Sequence, residues 1–515
     1  MRTSATVRGN DFRDRVCAMM QAAGFVAKTE VRVGHKKVDI FAEKFDYGRL
    51  KKYAVECKFY DAALTKNQSI AIVADYSPLK EQRLVDEIWV IGRSISSDAR
   101  LHLESIDRFR VFSVDELKSS IADFSAYIQH LIDMHDRAEV AEYYIRILHV
   151  DGTDIEQYVL NWISNDDETP IAIEAGYGKG KTTFSLHLAN KLALVVRANP
   201  NARIPIYVPL GEVATEQSAS GLISTVLANL PFVSNYSFKL IETLNNEGCF
   251  VFIFDGFDEM KHGMSFEQLR YNFSEILRLW SKKSKIMVLG RPTAFLSDGE
   301  RAFIFGGVDC TSIGQEFRDS RWPRFKVFNI ADWSLMQAGS FIRKYFPIAS
   351  RQHGAITSTI DAPRRVSRLL GGDYNELIVR PVHAKMLVEV SSEQEEVFEK
   401  LSTYHLYDRF IHGLLRREID KKGRDKKIGV YARRDFATRV AWWMWSQSGL
   451  RSTRVEKIPE GIIQHFVSAY PAYEERELRR ELIAGCFIDK NDSSAIYFPH
   501  RSFQEFLVSV HLIYT

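Results

Sequence analysis

The chain contains 515 residues, of which 45% are hydrophobic and 26% are charged, so its composition excludes a largely disordered protein. Its length is that of about three domains, and its net charge of +3 is too small to indicate nucleic-acid binding by itself. Five scattered cysteines form no CxxC pair, no apolar run is as long as a membrane span, and the N-terminus lacks a signal-peptide core. We therefore expect a cytoplasmic protein with free thiols, and neither a zinc site nor a membrane partner.

The first predicted elements are a helix and three strands. Apolar residues recur at helical spacing over residues 9–23, and Gly24 ends the pattern. Residues 31–41 alternate in polarity around a Gly-His-Lys-Lys turn, which predicts a hairpin, and residues 53–59 predict a further strand.

Three polar side chains fall together on these strands. Residues two apart on a strand face the same side, so Glu56 and Lys58 share a face while Cys57 points away into packing. Asp39 on the neighbouring strand can join them. Two carboxylates can hold Mg²⁺ and a lysine can orient or deprotonate a water, which suits metal-assisted phosphodiester hydrolysis. Because charged residues alternate on many solvated strands, this pattern alone does not establish a nuclease.

This region resembles the Mrr-like restriction endonucleases of the PD-(D/E)xK superfamily. The matching stretches are residues 9–12, 24–25, 38–40 (Val-Asp-Ile), 55–60 (Val-Glu-Cys-Lys-Phe-Tyr), 97–100 (Ser-Asp-Ala-Arg) and 112–117 (Phe-Ser-Val-Asp-Glu-Leu). The resemblance implies a small α/β restriction-endonuclease-like domain over residues 1–120 that cuts double-stranded DNA. It makes Asp39 and Glu56 the Mg²⁺ ligands and Lys58 the catalytic lysine.

Two features of this region leave alternatives open. The family often has a Glu after the phenylalanine of the first helix, whereas Arg13 follows Phe12 here. Either Asp11 or Asp14 substitutes for that acid, or the acid is absent. Basic residues flank the site and either track DNA phosphates or form a solvated hairpin face. They are Lys36, Lys37, Arg49, Lys51 and Lys52.

A single long helix is predicted next, followed by a linker. Apolar residues keep helical spacing from residue 114 to about residue 137. The polar, charged residues 133–143 indicate a boundary, so we assign residues 121–143 to a helical linker.

The strongest sequence signal lies at residues 171–183, which read Ile-Ala-Ile-Glu-Ala-Gly-Tyr-Gly-Lys-Gly-Lys-Thr-Thr. An apolar strand, a glycine-rich turn and a helical pattern follow one another, as in a phosphate-binding loop. Gly176, Gly178 and Gly180 let backbone amides approach polyphosphate oxygens. Lys181 is expected to reach the β- and γ-phosphates, and the Thr182 hydroxyl is expected to ligate Mg²⁺. Thr183, the next residue, is expected to belong to the nucleotide site. Ala175 stands where the full pattern has its first glycine, and alanine is small enough for that position.

Further α/β elements follow this loop. Residues 204–210 predict a buried parallel strand, and residues 221–230 and 238–247 predict helices. The apolar strand at residues 249–254 ends in acids, at the edge of a sheet where ligands bind. Asp255 is expected in the Mg²⁺ shell, and Asp258 or Glu259 is expected to polarise the attacking water. Residues 286–290 form another strand that ends in Arg291, placed to sense the γ-phosphate.

Residues 144–515 resemble the NACHT branch of the STAND nucleotide-dependent switches. The signatures are Gly-Tyr-Gly-Lys-Gly-Lys-Thr-Thr, Phe-Asp-Gly-Phe-Asp-Glu and Gly-Arg-Pro. The resemblance implies a P-loop NTPase domain at residues 144–330 with ATP or ADP and Mg²⁺ as cofactors. It also implies that Pro381 packs against adenine, and that His500, in Pro-His-Arg-Ser-Phe, contacts the β-phosphate of ADP.

The remaining chain is predicted to be mostly helical. Residues 326–328, followed by a helix at residues 335–346, continue the pattern of the NACHT resemblance into its helical part. We assign residues 331–400 to a helical domain and residues 401–515 to a helical and winged-helix region. Helices are expected at residues 382–390, 404–417, 435–445 and 476–484, and a hairpin around residues 491–494. No repeat of fixed period follows, so we expect a trigger sensor that is minimal, lies on another chain, or is absent from a fragment.

Together these features predict an α/β multidomain protein with a nuclease and a switch. The resemblances imply an antiphage defence factor in which ATP binding, released by a phage-derived protein trigger, drives homo-oligomerisation and DNA cleavage. One alternative is an ATP-dependent restriction enzyme that reads modified DNA without a protein trigger. A second alternative is a switch whose N-terminal fold binds DNA or a partner without cutting.

Overall fold

The computed structural model describes residues 5–46, 48–212, 218–228, 237–260, 266–310, 316–352, 367, 375–392, 403–420, 427–447, 452–486, 488–490, 495–498 and 501–514. The chain forms two compact units. The first unit comprises Met1–His130, Val195–Arg203 and Leu227–Cys249, and the second comprises Leu131–Leu194, Ile204–Val226 and Phe250–Thr515. The domain boundaries derived from the sequence remain predictions.

The first unit is built around a mixed β-sheet. Its N-terminal elements are α1 (Ala5–Ala22), β1 (Val26–Val33), β2 (Lys36–Asp46), β3 (Arg49–Lys58), α2 (Lys66–Glu81), β4 (Glu87–Gly92), α3 (Ser97–Glu104), β5 (Phe109–Ser113) and α4 (Val114–Ile121). The strands lie in the order β1-β2-β3-β4-β5. β1, β2 and β3 are antiparallel, whereas β4 and β5 continue parallel to β3. The predicted first helix, hairpin and strand are all present.

The turn and register of the hairpin position the polar cluster. Val33 pairs with Lys36, so only Gly34 and His35 form the turn, and Gly34 has the positive φ that such turns require. Ile40 pairs with Val55, which brings Asp39 beside the end of β3. The buried core under this sheet includes Val38, Ala54, Tyr76 and Val90.

The single helix predicted from residue 114 to about residue 137 is wrong, because two helices occupy this stretch. α4 ends at Ile121, and Ala122 has extended backbone angles. A new helix, α5 (Ser125–Arg137), then begins. A carboxylate oxygen of Asp123 accepts a 2.8 Å hydrogen bond from the amide of Ser125, which forms a local turn directly before the second helix. The apolar spacing concealed this interruption.

The middle of the chain contains a parallel sheet with flanking helices. After α5, its elements are α6 (Val140–Tyr143), α7 (Ile155–Ser164), β6 (Ile171–Glu174), α8 (Lys181–Ala198), β7 (Ile204–Pro209), α9 (Ala219–Ala228), α10 (Phe238–Asn246), β8 (Phe250–Asp255), α11 (Phe266–Leu277), β9 (Lys285–Gly290), α12 (Asp298–Gly306), β10 (Val308–Cys310), β11 (Glu316–Arg318) and β12 (Lys326–Asn329). The parallel strands lie in the order β12-β6-β9-β8-β7. β6, β8 and β9 are buried along their whole length, as their continuous apolar runs predict.

The C-terminal part is helical with a small sheet. Its elements are α13 (Leu335–Gln352), α14 (Asn375–Ile378), α15 (Pro381–Ser392), α16 (Thr403–Asp420), α17 (Val430–Ser446), β13 (Ser452–Arg454), α18 (Glu460–Ala469), α19 (Glu475–Gly485), β14 (Asp489–Lys490), β15 (Ala495–Tyr497) and α20 (Arg501–Tyr514). β15 pairs antiparallel with both β13 and β14. The hairpin strands were expected from the sequence, whereas β13 was not. Among the described helices, none combines the length and apolarity that crossing a bilayer requires.

Candidate functional site

The turn between β6 and α8 has the geometry of a phosphate-binding loop. Lys181 begins α8, and its Nζ donates a 2.7 Å hydrogen bond to the carbonyl of Ala175 and a 3.4 Å hydrogen bond to the carbonyl of Gly176. Gly178 and Gly180 have φ values of +68° and +91°, which side chains with a Cβ rarely adopt. The amide of Ala175 donates to the carbonyl of Gly290 at 3.1 Å, so this residue joins the loop to β9.

A cavity of about 390 Å³ opens at this loop. That volume is within the range of small-molecule sites. The residues predicted from the sequence that line it are Gly178, Gly180, Lys181, Thr182, Thr183, Asp255, Asp258, Glu259, Arg291 and Pro381. The structure thus brings the loop, the end of β8, the end of β9 and the start of α15 to one cavity. His500 lies outside the described residues, so its contact with the β-phosphate of ADP stays a prediction.

Asp255 is held at the end of β8 by two hydroxyl groups. Its Oδ2 accepts a 2.9 Å hydrogen bond from Ser185 Oγ and a 3.2 Å hydrogen bond from the hydroxyl of Tyr207. Burial, and then the negative charge of Glu259, raise the pKa of Asp255 to about 6, and hydrogen bonds from Ser185 and Thr182 oppose this rise. The Asp255 carboxylate and the Thr182 hydroxyl are oxygen ligands of the kind that Mg²⁺ prefers.

The guanidinium group of Arg291 contacts the carboxylates of two acidic residues. Its Nε lies 3.2 Å from Oδ2 of Asp258, and its Nη2 donates a 2.7 Å hydrogen bond to Oε1 of Glu418 on α16. The guanidinium also lies over the ring of Tyr177, 4.8 Å from its centroid. Burial tends to lower the pKa of Arg291, but the charges of Glu418 and Asp258 outweigh it and leave the pKa above its usual value.

The two acids proposed as the hydrolytic base have different surroundings. Oδ1 of Asp258 accepts a 3.0 Å hydrogen bond from the backbone amide of Arg291, so both of its oxygens face that residue. The side chain of Glu259 packs against Gly211, where an added Cβ would lie 2.5 Å from its Oε2. Both acids line the cavity, and the choice between them stays open.

The side of the cavity beside Pro381 is apolar and aromatic. Pro381 begins α15, and the next residue, Val382, donates its amide to the carbonyl of Gly178 at 3.1 Å. Ile145, Trp333 and Phe341 line the same cavity. Apolar and aromatic surfaces suit a planar base. Sequence reasoning missed this wall, and it also missed Glu418, whose place in a helical pattern gave no functional signal.

The N-terminal sheet brings Asp39, Glu56 and Lys58 together, as the strand pattern predicts. Oδ2 of Asp39 accepts a 2.8 Å hydrogen bond from the backbone amide of Cys57. Nζ of Lys58 lies 2.5 Å from Oε1 of Glu56. Burial and the charge of Glu56 raise the pKa of Asp39 to about 6. Two close carboxylates repel one another, and a divalent cation would relieve that repulsion, so this donor set fits Mg²⁺.

Tyr76 is a further member of this cluster that the sequence did not indicate. It lies on α2 with no exposed surface, and its hydroxyl donates a hydrogen bond to Oε2 of Glu56. Burial and the charge of Glu56 raise the pKa of Tyr76, so the hydroxyl keeps its proton and remains a donor. Within the described ranges, no group of three or more His, Cys, Asp or Glu side chains is arranged as a metal site. The candidate Mg²⁺ site therefore depends on two carboxylates.

The surroundings of this cluster bear on the open alternatives. Four of the five basic side chains form ion pairs on the surface of the same unit. The pairs are Lys36 with Asp75, Lys37 with Glu30, Arg49 with Asp86 and Lys51 with Asp46. Arg13, at the position of the family's acid, pairs with both Asp14 and Glu30. These pairs are what a solvated hairpin face requires.

Comparisons with known proteins assign part of the chain. Over 463 residues it is 23% identical to an uncharacterized WD repeat-containing protein of Nostoc sp. strain PCC 7120, and the match covers 83% of this chain and 28% of that protein. The chain therefore spans less than a third of that relative's length.

Two solved structures of Aeropyrum pernix are similar in part. The ORC2 protein in ADPNP–ADP complexes has 11% identity and a TM-score of 0.33, and the match covers 72% of this chain and 96% of that one. The ORC1 protein in complex with DNA has 12% identity and a TM-score of 0.30, with 70% and 91% covered. The family model of the NACHT domain matches residues 169–301. Residues 169–301 are therefore a NACHT domain, a P-loop NTPase module of the kind found in STAND-type nucleotide switches.

Proposed function

We propose that the protein is a nucleotide-regulated switch that controls a Mg²⁺-dependent DNA endonuclease in antiphage defence. ATP or ADP would bind in the cavity at the β6–α8 loop. Double-stranded DNA would be cut at the Asp39, Glu56 and Lys58 cluster. Activation by a phage-derived protein would drive homo-oligomerisation, which brings two N-terminal sites to the two DNA strands.

The observation that carries the nuclease half is the packing of three functional groups at the end of β3. Glu56 contacts the ammonium group of Lys58 through one oxygen and the Tyr76 hydroxyl through the other. Asp39 is fixed by the Cys57 amide. A bound Mg²⁺ ion would supply Lewis acidity and a metal-bound water. The protein itself would hold Asp39 and Glu56 as oxygen donors, and Lys58 would orient the water and stabilise negative charge on the phosphate.

The observation that supports the nucleotide half is the single cavity shared by the loop, Asp255 and the apolar wall. The loop amides and Lys181 would hold the phosphates. Asp255 and Thr182 would hold the cation, and Pro381 with the aromatic residues beside it would contact the base. Asp258 or Glu259 would polarise the water that attacks the terminal phosphate.

A contact inside the first unit joins a helix of the NACHT match to the nuclease cluster. Helix α10 lies within the residues matched by the NACHT model and packs against α1. Nε of Arg15 donates a 2.7 Å hydrogen bond to Oε1 of Glu247, and Ser237 Oγ lies 3.5 Å from the carbonyl of Ala22. Phe12 of α1 packs against Phe59, next to Lys58, with ring centroids 5.4 Å apart. Movement of α10 would therefore reach the nuclease cluster through α1.

The test is DNA cleavage by the purified full-length chain with Mg²⁺, ATP and plasmid, with and without lysate of phage-infected cells. Lys58→Ala should abolish cleavage and keep nucleotide binding, whereas Lys181→Ala should abolish both. Cleavage that persists in both variants would contradict the proposal, because neither site would then be needed.

The basic residue Arg13 at the position of the family's acid supports one alternative, in which the N-terminal fold binds DNA or a partner without cutting. A Mg²⁺-dependent nuclease assay separates the two functions. Lack of cleavage together with nucleotide-dependent binding of DNA would favour the non-cutting switch. Cleavage that depends on substrate methylation and needs no lysate would favour a modification-reading restriction enzyme.

A further inference from the structure

Glu418 is a buried carboxylate in the wall of the nucleotide cavity. It lies near the end of α16, far along the chain from the NACHT domain, and has no exposed surface. A carboxylate in such a place requires a cationic partner, because an unpaired buried charge is strongly destabilising. Glu418 contacts such a cation in Arg291, whose Nη2 lies 2.7 Å from Oε1 of Glu418.

The guanidinium of Arg291 is occupied on every nitrogen. Nε faces Asp258 at 3.2 Å, Nη2 donates to Glu418 at 2.7 Å, and Nη1 donates to the carbonyl of Ala484 at 3.4 Å. An arginine binds a phosphate most strongly through two neighbouring nitrogens that donate together. Each edge of this guanidinium already includes a nitrogen that faces a carboxylate. A phosphate can therefore accept hydrogen bonds from two neighbouring nitrogens of Arg291 only by displacing a carboxylate.

The charges of Arg291, Asp258 and Glu418 also indicate competition between a phosphate and Glu418. One arginine and two carboxylates sum to a net charge of −1 if all three are ionised, in a site where Arg291 is 4% exposed. While Glu418 keeps its place, the positive charge of Arg291 is therefore already balanced, and a terminal phosphate draws its attraction from other cations that line the cavity, such as Lys181. A nucleotide with a shorter phosphate chain avoids this competition.

We propose that Glu418 is a specificity-determining residue of the nucleotide site, where its carboxylate competes with the terminal phosphate of a triphosphate for Arg291 and so favours a nucleoside diphosphate. The proposal rests on the proposed binding of nucleotide in this cavity. When the terminal phosphate of a triphosphate displaces Glu418 from Arg291, α16 loses its ion pair with the residue that follows β9.

The experiment measures ADP and a non-hydrolysable ATP analogue, each with Mg²⁺, binding to nucleotide-free full-length protein by titration calorimetry. The unaltered protein should bind ADP more tightly than the analogue. Glu418→Gln keeps the shape and an acceptor oxygen but removes the charge, and should shift the ratio of the two dissociation constants at least tenfold toward the triphosphate. Asp420→Asn, an exposed acid on the same helix, is the matched control and should leave the ratio unchanged.

The outcomes separate this inference from the proposed function. Failure of both nucleotides to bind, or binding that survives Lys181→Ala, overturns the nucleotide site and the inference with it. Binding that needs Lys181 but shows the same ratio in Glu418→Gln overturns the inference alone. An equal shift in Glu418→Gln when Arg291 is also changed to Ala overturns it too, since competition requires the arginine.

A second readout on the unaltered protein covers the case in which Glu418→Gln does not fold. The triphosphate analogue should increase hydrogen–deuterium exchange in α16 relative to ADP. Equal exchange in α16 with the two nucleotides would contradict the inference.

Discussion

The backbone amide of Val382 donates a 3.1 Å hydrogen bond to the carbonyl oxygen of Gly178. This bond joins the phosphate-binding loop directly to the first turn of α15, which also carries Pro381. The loop and the helical part of the second unit therefore adopt one arrangement together. A nucleotide that changes the conformation of the loop would act directly on α15 through this hydrogen bond.

The first prediction concerns Gly178→Ala. The residue has a φ of +68°, and an added Cβ would lie 2.1 Å from Cγ1 of Val382, so both the backbone and the packing resist the change. We expect a loss of at least about 2 kcal/mol in the free energy of unfolding and much weaker ADP binding. Thermal unfolding and calorimetry measure these effects. Gly461→Ala is the control, because its Cβ would meet nothing within 4 Å in helix α18.

The second prediction concerns Tyr76→Phe. The change removes the hydroxyl that donates to Glu56 and leaves a buried carboxylate with one fewer donor. We expect destabilisation of about 1–3 kcal/mol. If the cluster is the nuclease site, the Mg²⁺ concentration needed for half-maximal cleavage should also change. Tyr271→Phe, at an exposed tyrosine, is the control. Unfolding and metal dependence identical to those of the unaltered protein would show that the hydrogen bond has no role.

The helix and strand pattern was predictable from the sequence where the signal is local. Strands β6, β8 and β9 are short apolar runs that end in glycine or acid, and the spacing of Glu56 and Lys58 fixes their common face through strand periodicity alone. The loop at Gly176–Thr182 was predictable for the same reason, because its chemistry lies in consecutive residues.

The missed contacts join segments that are distant in the chain. Arg291 and Glu418 are 127 positions apart, and the position of Glu418 within a helix says nothing about its partner. Tyr76 reads as an ordinary core residue of α2, because only the packing of that helix on the sheet brings its hydroxyl to Glu56. The interruption at Ala122 was missed because the apolar pattern continues across the extended residue and the turn at Asp123 that separate the two helices.

The third prediction concerns pH and Glu156. This buried carboxylate accepts hydrogen bonds from Lys191 at 2.7 Å and Tyr144 at 3.1 Å, and His187 lies 3.7 Å away. Contact with His187, together with Lys191, lowers the pKa of Glu156 from its usual 4.5 to about 2, although burial opposes the change. A lowered pKa in the folded protein means that the stabilisation is full above the unfolded-state pKa and is lost as the pH falls toward the folded-state value.

Glu156→Gln should therefore destabilise the protein by about 2 kcal/mol at neutral pH. The difference from the unaltered protein should narrow as the pH falls below about 4.5. Denaturant unfolding at several pH values measures it. Glu168→Gln, at an exposed acid, should show no such profile. A difference that grows as the pH falls below about 4.5 would contradict the sign of this prediction.

The fourth prediction concerns the ion pair of Arg15 and Glu247. The side chain of Arg15 is 41% exposed, so water screens the pair, and we expect a coupling of no more than about 1 kcal/mol in a double-mutant cycle. ATP hydrolysis should persist in Arg15→Ala, whereas nucleotide-dependent DNA cleavage should fall. Cleavage that responds to ATP as in the unaltered protein would exclude this contact as the coupling route.

The central claim is that the β6–α8 cavity binds a nucleotide through its phosphates. The most direct measurement is titration of ADP and Mg²⁺ into the nucleotide-free full-length protein and into Lys181→Ala, with AMP as the ligand that lacks a second phosphate. The account predicts binding of ADP to the unaltered protein, little binding of AMP, and at least a tenfold loss of ADP affinity in Lys181→Ala. Equal affinity of ADP for both proteins, or equal affinity of AMP and ADP, would contradict it.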